Sequence, residues 1–73
     1  MRINENEAAI ALKKYTGELR HDEYGSPCFM LDNDTALLIG IGNGNTSATW
    51  IEYHLLINTE NLMPTRRGGA ARV

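Results

Sequence analysis

Residues 36–50 read ALLIGIGNGNTSATW, with glycine at positions 40, 42 and 44. Two structures compete for such a stretch: a loop that cradles phosphate, and a tight turn between two strands. A dinucleotide fingerprint needs G-x-G-x-x-G and a helix directly after it, so that the helix N-terminus meets the pyrophosphate. Here the spacing is G-x-G-x-G, and the continuation TSATWIEY is rich in β-branched and aromatic residues, which favour a strand. A Walker-type loop also needs a lysine followed by Ser or Thr, and the last lysine of the chain is Lys14. Asn43-Gly44 between two strand-like runs is instead a strong hairpin signal, because both residues tolerate the positive φ of a type I′ turn. The stretch predicts a hairpin and no nucleotide or other cofactor.

A two-residue loop at Asn43-Gly44 sets a register. It places Leu37 opposite Trp50 and Ile39 opposite Ala48, so Trp50, Leu37 and Ile39 share a face. The strand over 35–42 is then apolar on both faces, with Leu37, Ile39 and Ile41 on one and Ala36 and Leu38 on the other. Upstream, CFML (28–31) reads as a further strand, closed by a turn at Asn33-Asp34, and residues 46–57 as the third. Residues 20–27, RHDEYGSP, read as a loop.

Asn4 and Glu7 have the spacing of a capping box, and Glu5 and Glu7 suit the positive end of a helix dipole. Ala8, Leu12, Tyr15 and Leu19 recur on one helical face. A helix over about residues 5–16 follows, with Gly17 as its terminator. The segment from Pro64 onward, PTRRGGAARV, has little to bury and reads as a flexible basic tail. The expected fold class is α+β: one N-terminal helix packed on a three-stranded antiparallel β-meander. Residues 1–63 form a single small domain and residues 64–73 the tail.

The chain has 73 residues and one cysteine, Cys28. No internal disulfide is possible, and a lone thiol suits a reducing compartment. The N-terminus is polar where a secretory signal would be apolar, and no apolar run approaches the roughly 20 residues of a membrane helix. The expectation is a complete cytoplasmic chain with no membrane contact. Charge is uneven: the net value is −2, but residues 1–61 hold four cations against nine acids, and Arg66, Arg67 and Arg72 carry the only charges after them. An acidic body disfavours nucleic acid, whose binding needs clustered cations, and favours a basic partner surface.

Candidate chemistry is sparse. His21 beside Asp22 and Glu23 could begin a metal site, but no second histidine is placed near it, and no metal is expected. Ser26, Cys28, His21 and His54 could supply a nucleophile and a base, yet nothing in their spacing makes them converge. Trp50, Tyr53 and His54 could stack nucleic-acid bases, but such platforms need a positive groove, and the strand carries Glu52 and no Lys or Arg. One helix cannot cover both sides of a strand apolar on both faces. The uncovered face is expected to be a homodimer interface or a docking surface for a larger protein with a basic surface. Trp50, Leu37, Ile39 and Tyr53 would be its apolar anchors, with Asp22 and Glu23 as acidic contacts.

The function read from these features is that of a non-enzymatic, acidic protein-binding module. In size and charge it resembles small inhibitors of nucleic-acid-handling proteins, such as immunity and phage anti-defence proteins, which would act by steric and electrostatic blocking. The alternatives are a nucleic-acid accessory protein using Arg66, Arg67 and Arg72, and a small enzyme or enzyme subunit using His21, Cys28 or His54.

Overall fold

Asn4 caps the helix as its spacing requires. Its side chain accepts the Glu7 N–H at 2.8 Å, and the Glu7 carboxylate accepts the Asn4 N–H at 3.0 Å. The computed structural model describes residues 1–65. Its elements in chain order are β1 (Arg2–Ile3), α1 (Glu5–Leu12), β2 (Leu19–His21), β3 (Pro27–Met30), β4 (Ala36–Asn43), β5 (Thr49–Leu56) and β6 (Met63–Pro64). The strands form one six-stranded antiparallel sheet in the order β1-β5-β4-β3-β2-β6.

This corrects the three-stranded meander. The expected strands exist as β3, β4 and β5, but β1 and β6 border the sheet and β2 lies within it. All three additional strands have only two or three residues. An alternating pattern cannot declare itself over so few positions, and their pairing comes from the neighbours they reach. The tail is corrected in the same way. Pro64 pairs with Arg20, and the Thr65 N–H donates to Leu19 O at 3.1 Å. The sheet thus claims residues 64 and 65, and the rest of the expected tail, residues 66–73, lies outside the described residues.

The helix is shorter than its periodicity suggests. After Leu12 the N–H groups of Lys13, Lys14 and Tyr15 turn to carbonyls three residues back, a tightening common at helix ends. Thr16 then bonds β3, its N–H reaching Met30 O at 3.0 Å and its hydroxyl the same oxygen at 2.9 Å. Gly17 takes φ +92°, a left-handed conformation that glycine adopts at no steric cost. The turn it permits sends Leu19 into β2 instead of along the helix.

Both hairpin loops are longer than two residues. At the first, the Leu31 N–H donates to Thr35 O at 2.9 Å. Asp32 Oδ1 accepts the N–H groups of Asp34 and Thr35, each at 2.8 Å. The Asp34 N–H first, then the Thr35 side chain, hold the Asp32 carboxyl below its ordinary value. At the second, the Gly44 N–H donates to Ala48 O at 2.9 Å, so the loop runs over residues 44–48. The positive φ falls at Ser47 (+68°), not at Asn43 and Gly44. Leu37 therefore sits opposite Leu55 instead of Trp50, and Ile39 opposite Tyr53. The slip is by an odd number of residues, so it exchanges the faces of β5.

One face of the sheet now carries Leu37, Phe29, Leu55, Ile39, Tyr53, Ile41 and Ile51. The helix lies on its lower half, where Ile10 and Ala11 line a groove with Ile3 and Leu55, and Tyr15 meets the edge of Phe29 at 5.3 Å between ring centres. Leu37 and Ala8 are buried there. The other face carries Cys28, Met30, Ala36, Leu38 and Leu56. Its cover is the segment that leaves β5 and crosses the sheet to reach β6, which packs Leu62 on that cluster. Thr59 pins the crossing: it is buried, and its hydroxyl donates to Asn33 O at 3.2 Å. The second cover that one helix could not supply is thus a loop.

The crossing and β6 should hold each other in place. Ending the chain after Leu62 should lower the melting temperature by about 5 °C relative to ending it after Thr65, the scale of about 1 kcal/mol for a domain this small. Equal melting curves for the two truncations would show that β6 adds nothing.

Candidate functional site

β4 and β5 outrun their neighbours. Toward the loop, β1 pairs with β5 no further than Tyr53 and β3 with β4 no further than Leu38, so Gly40–Asn43 and Thr49–Glu52 form a two-stranded arm. Its two faces differ sharply. Gly40, Gly42, Trp50 and Glu52 occupy one, while Ile41 and Ile51 occupy the other as a directly opposed pair.

Gly42 now has a physical account. Period two puts Gly40 and Gly42 on the same face of β4, and Gly42 stands opposite Trp50. A Cβ on Gly42 would collide with Trp50 Nε1 and Cε2, so the indole lies against bare backbone. Trp50 Nε1–H donates to Glu52 Oε2 at 2.7 Å, and His54 Nε2 lies 2.9 Å from Glu52 Oε1. The carboxylate therefore favours the His54 tautomer protonated at Nε2. Arg2, opposite His54 across β1 and β5, brings its guanidinium to 3.6 Å from Glu52. Hydrogen bonds from His54 first and Trp50 second hold the Glu52 carboxyl below its ordinary value, with the Arg2 charge adding to them. The clip joins Trp50, Glu52, His54 and Arg2, fastening the arm to the edge of the sheet.

A second assembly stands on the same face, over the crossing. Asp22, Glu23 and Tyr24 from the β2–β3 turn meet Leu38, Leu56, Asn61 and Leu62 around a hollow of about 290 Å3. Asp22 Oδ1 shapes the turn by accepting the N–H groups of Tyr24 at 3.0 Å and Ser26 at 2.8 Å. Tyr24 is 83% exposed, and the neighbouring Glu23 carboxylate, as hydrogen-bond acceptor first and as charge second, raises the Tyr24 pKa. The hollow has an apolar floor, an acidic rim and an aromatic ring at its mouth.

The expected anchors are dispersed. Leu37 is fully buried on the face that bears the helix, Ile39 and Tyr53 are half-buried on that face beyond the helix, and Trp50 is on the opposite one. Asp22 and Glu23 come together at the hollow. His21 and His54 do not meet: they lie on opposite faces, on strands separated by β3 and β4. His21 Nδ1 instead contacts Thr65 Oγ1 at 3.2 Å. The Cys28 thiol is buried, and burial, with Asp22 adding to it, pushes its pKa up to about 11, which suppresses the nucleophilic thiolate. Among the described residues, no group of three or more His, Cys, Asp or Glu could hold a metal ion, and no helix is long and apolar enough to cross a membrane. Sequence reasoning missed the partnership of Glu52, His54 and Arg2. The W-x-E-x-H spacing of residues 50–54 was the available signal, since alternation places all three side chains on one face. No protein family matches this chain, and neither a curated protein nor a solved structure matches it.

Two outcomes test the clip. Gly42→Ala should displace the indole, destabilise the chain by about 1–3 kcal/mol through overpacking and alter Trp50 fluorescence. Gly40→Ala should be close to neutral, because its Cβ would press on the flexible Leu38 Cδ2 at 3.3 Å and meet Ser26 Oγ at an ordinary 3.9 Å.

Because the folded-state pKa of Glu52 is depressed, its contribution is present above the unfolded carboxylate pKa and is lost as pH falls through the folded one. Trp50 fluorescence should therefore change only as pH falls below the ordinary glutamate range, about 4.3, and Glu52→Gln should remove that transition.

Proposed function

We propose that this chain is a non-enzymatic protein-binding module whose acidic hollow receives a basic side chain of a larger protein. The observation that carries the reading is the meeting of Asp22, Glu23 and Tyr24 with Leu38, Leu56 and Leu62 around one cavity. A lysine or arginine has two parts, an apolar stem and a cationic head. The leucines fit the stem, the carboxylates fit the head, and the exposed Tyr24 ring adds a face for a cation–π contact. The surrounding field has the same sign, since residues 1–65 hold four cations and nine acids. Such a field speeds encounter with a cationic surface.

A protein that handles nucleic acid presents a cationic groove of this kind. Occupying the groove would block it by bulk and by charge, which is the inhibitor role proposed for this chain. Nothing in the chemistry of the site calls for a reaction: the buried thiol is protonated near neutral pH, and the two histidines stand apart. The nucleic-acid alternative rests on Arg66, Arg67 and Arg72, which lie outside the described residues.

The test is a titration with a short arginine-containing peptide at low salt, followed by amide and methyl shifts in NMR spectra. Perturbations should concentrate at Tyr24, Leu38, Leu56 and Leu62 and should fade as salt rises. The double variant Asp22→Asn, Glu23→Gln keeps an oxygen acceptor for the turn and removes both charges, and it should weaken binding by about tenfold or more. Shifts spread over all carboxylates, or unchanged by the double variant, would overturn the reading.

A further inference from the structure

The face of the arm opposite Trp50 has a distinct composition. Ile41 and Ile51 stand opposite each other and are 73% and 58% exposed. Ile39 and Tyr53 form the next pair toward the helix, and both are half-buried. Alternation from these pairs puts Asn43 and Thr49 at the tip of the same face. Every Asp, Glu, Lys and Arg within the six strands, namely Arg2, Arg20 and Glu52, lies on the other face, because Arg2 pairs with His54, Arg20 with Cys28 and Glu52 with Gly40. A run of apolar side chains with no charge among its strand neighbours is the composition of an interface centre, not of a solvated sheet.

Charge decides what covers it. A basic partner would require carboxylates in or around this strand face, and its strands provide none. A second copy of this chain meets the opposite demand. Each copy carries nine acids against four cations over residues 1–65, so contact through its acidic surfaces would set carboxylate against carboxylate. The uncharged strand face lets two copies approach without opposing carboxylates. A twofold axis sets identical patches together, and here it sets isoleucine against isoleucine. Among the described residues the fully buried apolar side chains are Ala8, Cys28, Met30, Ala36 and Leu37, and a single core of this size is marginal without a further source of stability. We propose that the Ile39, Ile41, Ile51 and Tyr53 face of the β4–β5 arm is a twofold homodimer interface. The hollow lies on the other face and stays open in such a dimer, so this proposal and the functional reading stand or fall separately.

Sedimentation of the full chain from micromolar to submillimolar concentration reads the dimer directly. The expected result is a dimer whose formation shifts the Ile39, Ile41, Ile51 and Tyr53 amide signals with concentration. Ile51→Glu and Ile51→Lys each put like charges across the axis, and each should raise the dissociation constant by about thirtyfold or more. An equimolar mixture of the two variants should recover a heterodimer, which a merely unfolded variant would not do, and circular dichroism of each variant checks its fold. Wild-type protein that remains monomeric at submillimolar concentration would overturn the proposal. So would a dimer untouched by either variant, with its concentration-dependent shifts elsewhere, such as along the helix groove.

Discussion

The pairing of β4 with β5 is the constraint on which the rest of the structure depends. It runs from Ala36 opposite Leu56 to Asn43 opposite Thr49, the longest ladder in the sheet. A side chain's face is decided by register alone, so this ladder assigns every apolar residue of both strands to one face of the sheet or the other. Leu37 and Leu55 go beneath α1. Ala36, Leu38 and Leu56 go beneath the segment that carries Leu62. The same assignment puts Trp50 over the glycines, because only the five-residue loop brings the indole opposite Gly42. A two-residue loop would have placed Trp50 beside Leu37 and left Gly42 without a reason to be glycine.

Covering is the second constraint. Neither cover extends over the arm. A two-stranded ribbon is marginal alone in water, and the clip of Trp50, Glu52, His54 and Arg2 supplies side-chain bonding where packing stops. The clip occupies one face only, so polar and apolar surfaces end up back to back on the same strands. That separation lets the molecule offer an acidic, aromatic-edged hollow on one side and an uncharged apolar face on the other.

Much of the local structure was legible in the residues. Asn4 and Glu7 announced the capping box, the runs at 28–31, 35–42 and 46–57 announced β3, β4 and β5, and the neighbouring acids Asp22 and Glu23 stay together beside the hollow. What was not legible arose from choices between nearly equal local options. Asn43-Gly44 satisfies a type I′ turn, but the wider loop places its positive φ on Ser47 and lets Trp50 meet the glycines, a long-range gain that no window of sequence displays. β1, β2 and β6 are too short for periodicity, and their hydrogen bonds come from strands distant in the chain. The candidate site followed the register: once it slipped by an odd number of residues, Trp50 parted from Leu37 and Ile39, while Ile51 came to stand opposite Ile41 on the exposed face.

Cys28 gives the molecule an internal clock. It sits on β3, in the middle of the sheet, fully shielded and with its thiol pushed up to about 11. An alkylating reagent can reach that sulfur only when β3 parts from its cover, and the rate of labelling then counts those openings. The single tryptophan is on the arm and is blind to them. Two native side chains, with no label introduced, thus separate the breathing of the arm from the opening of the core.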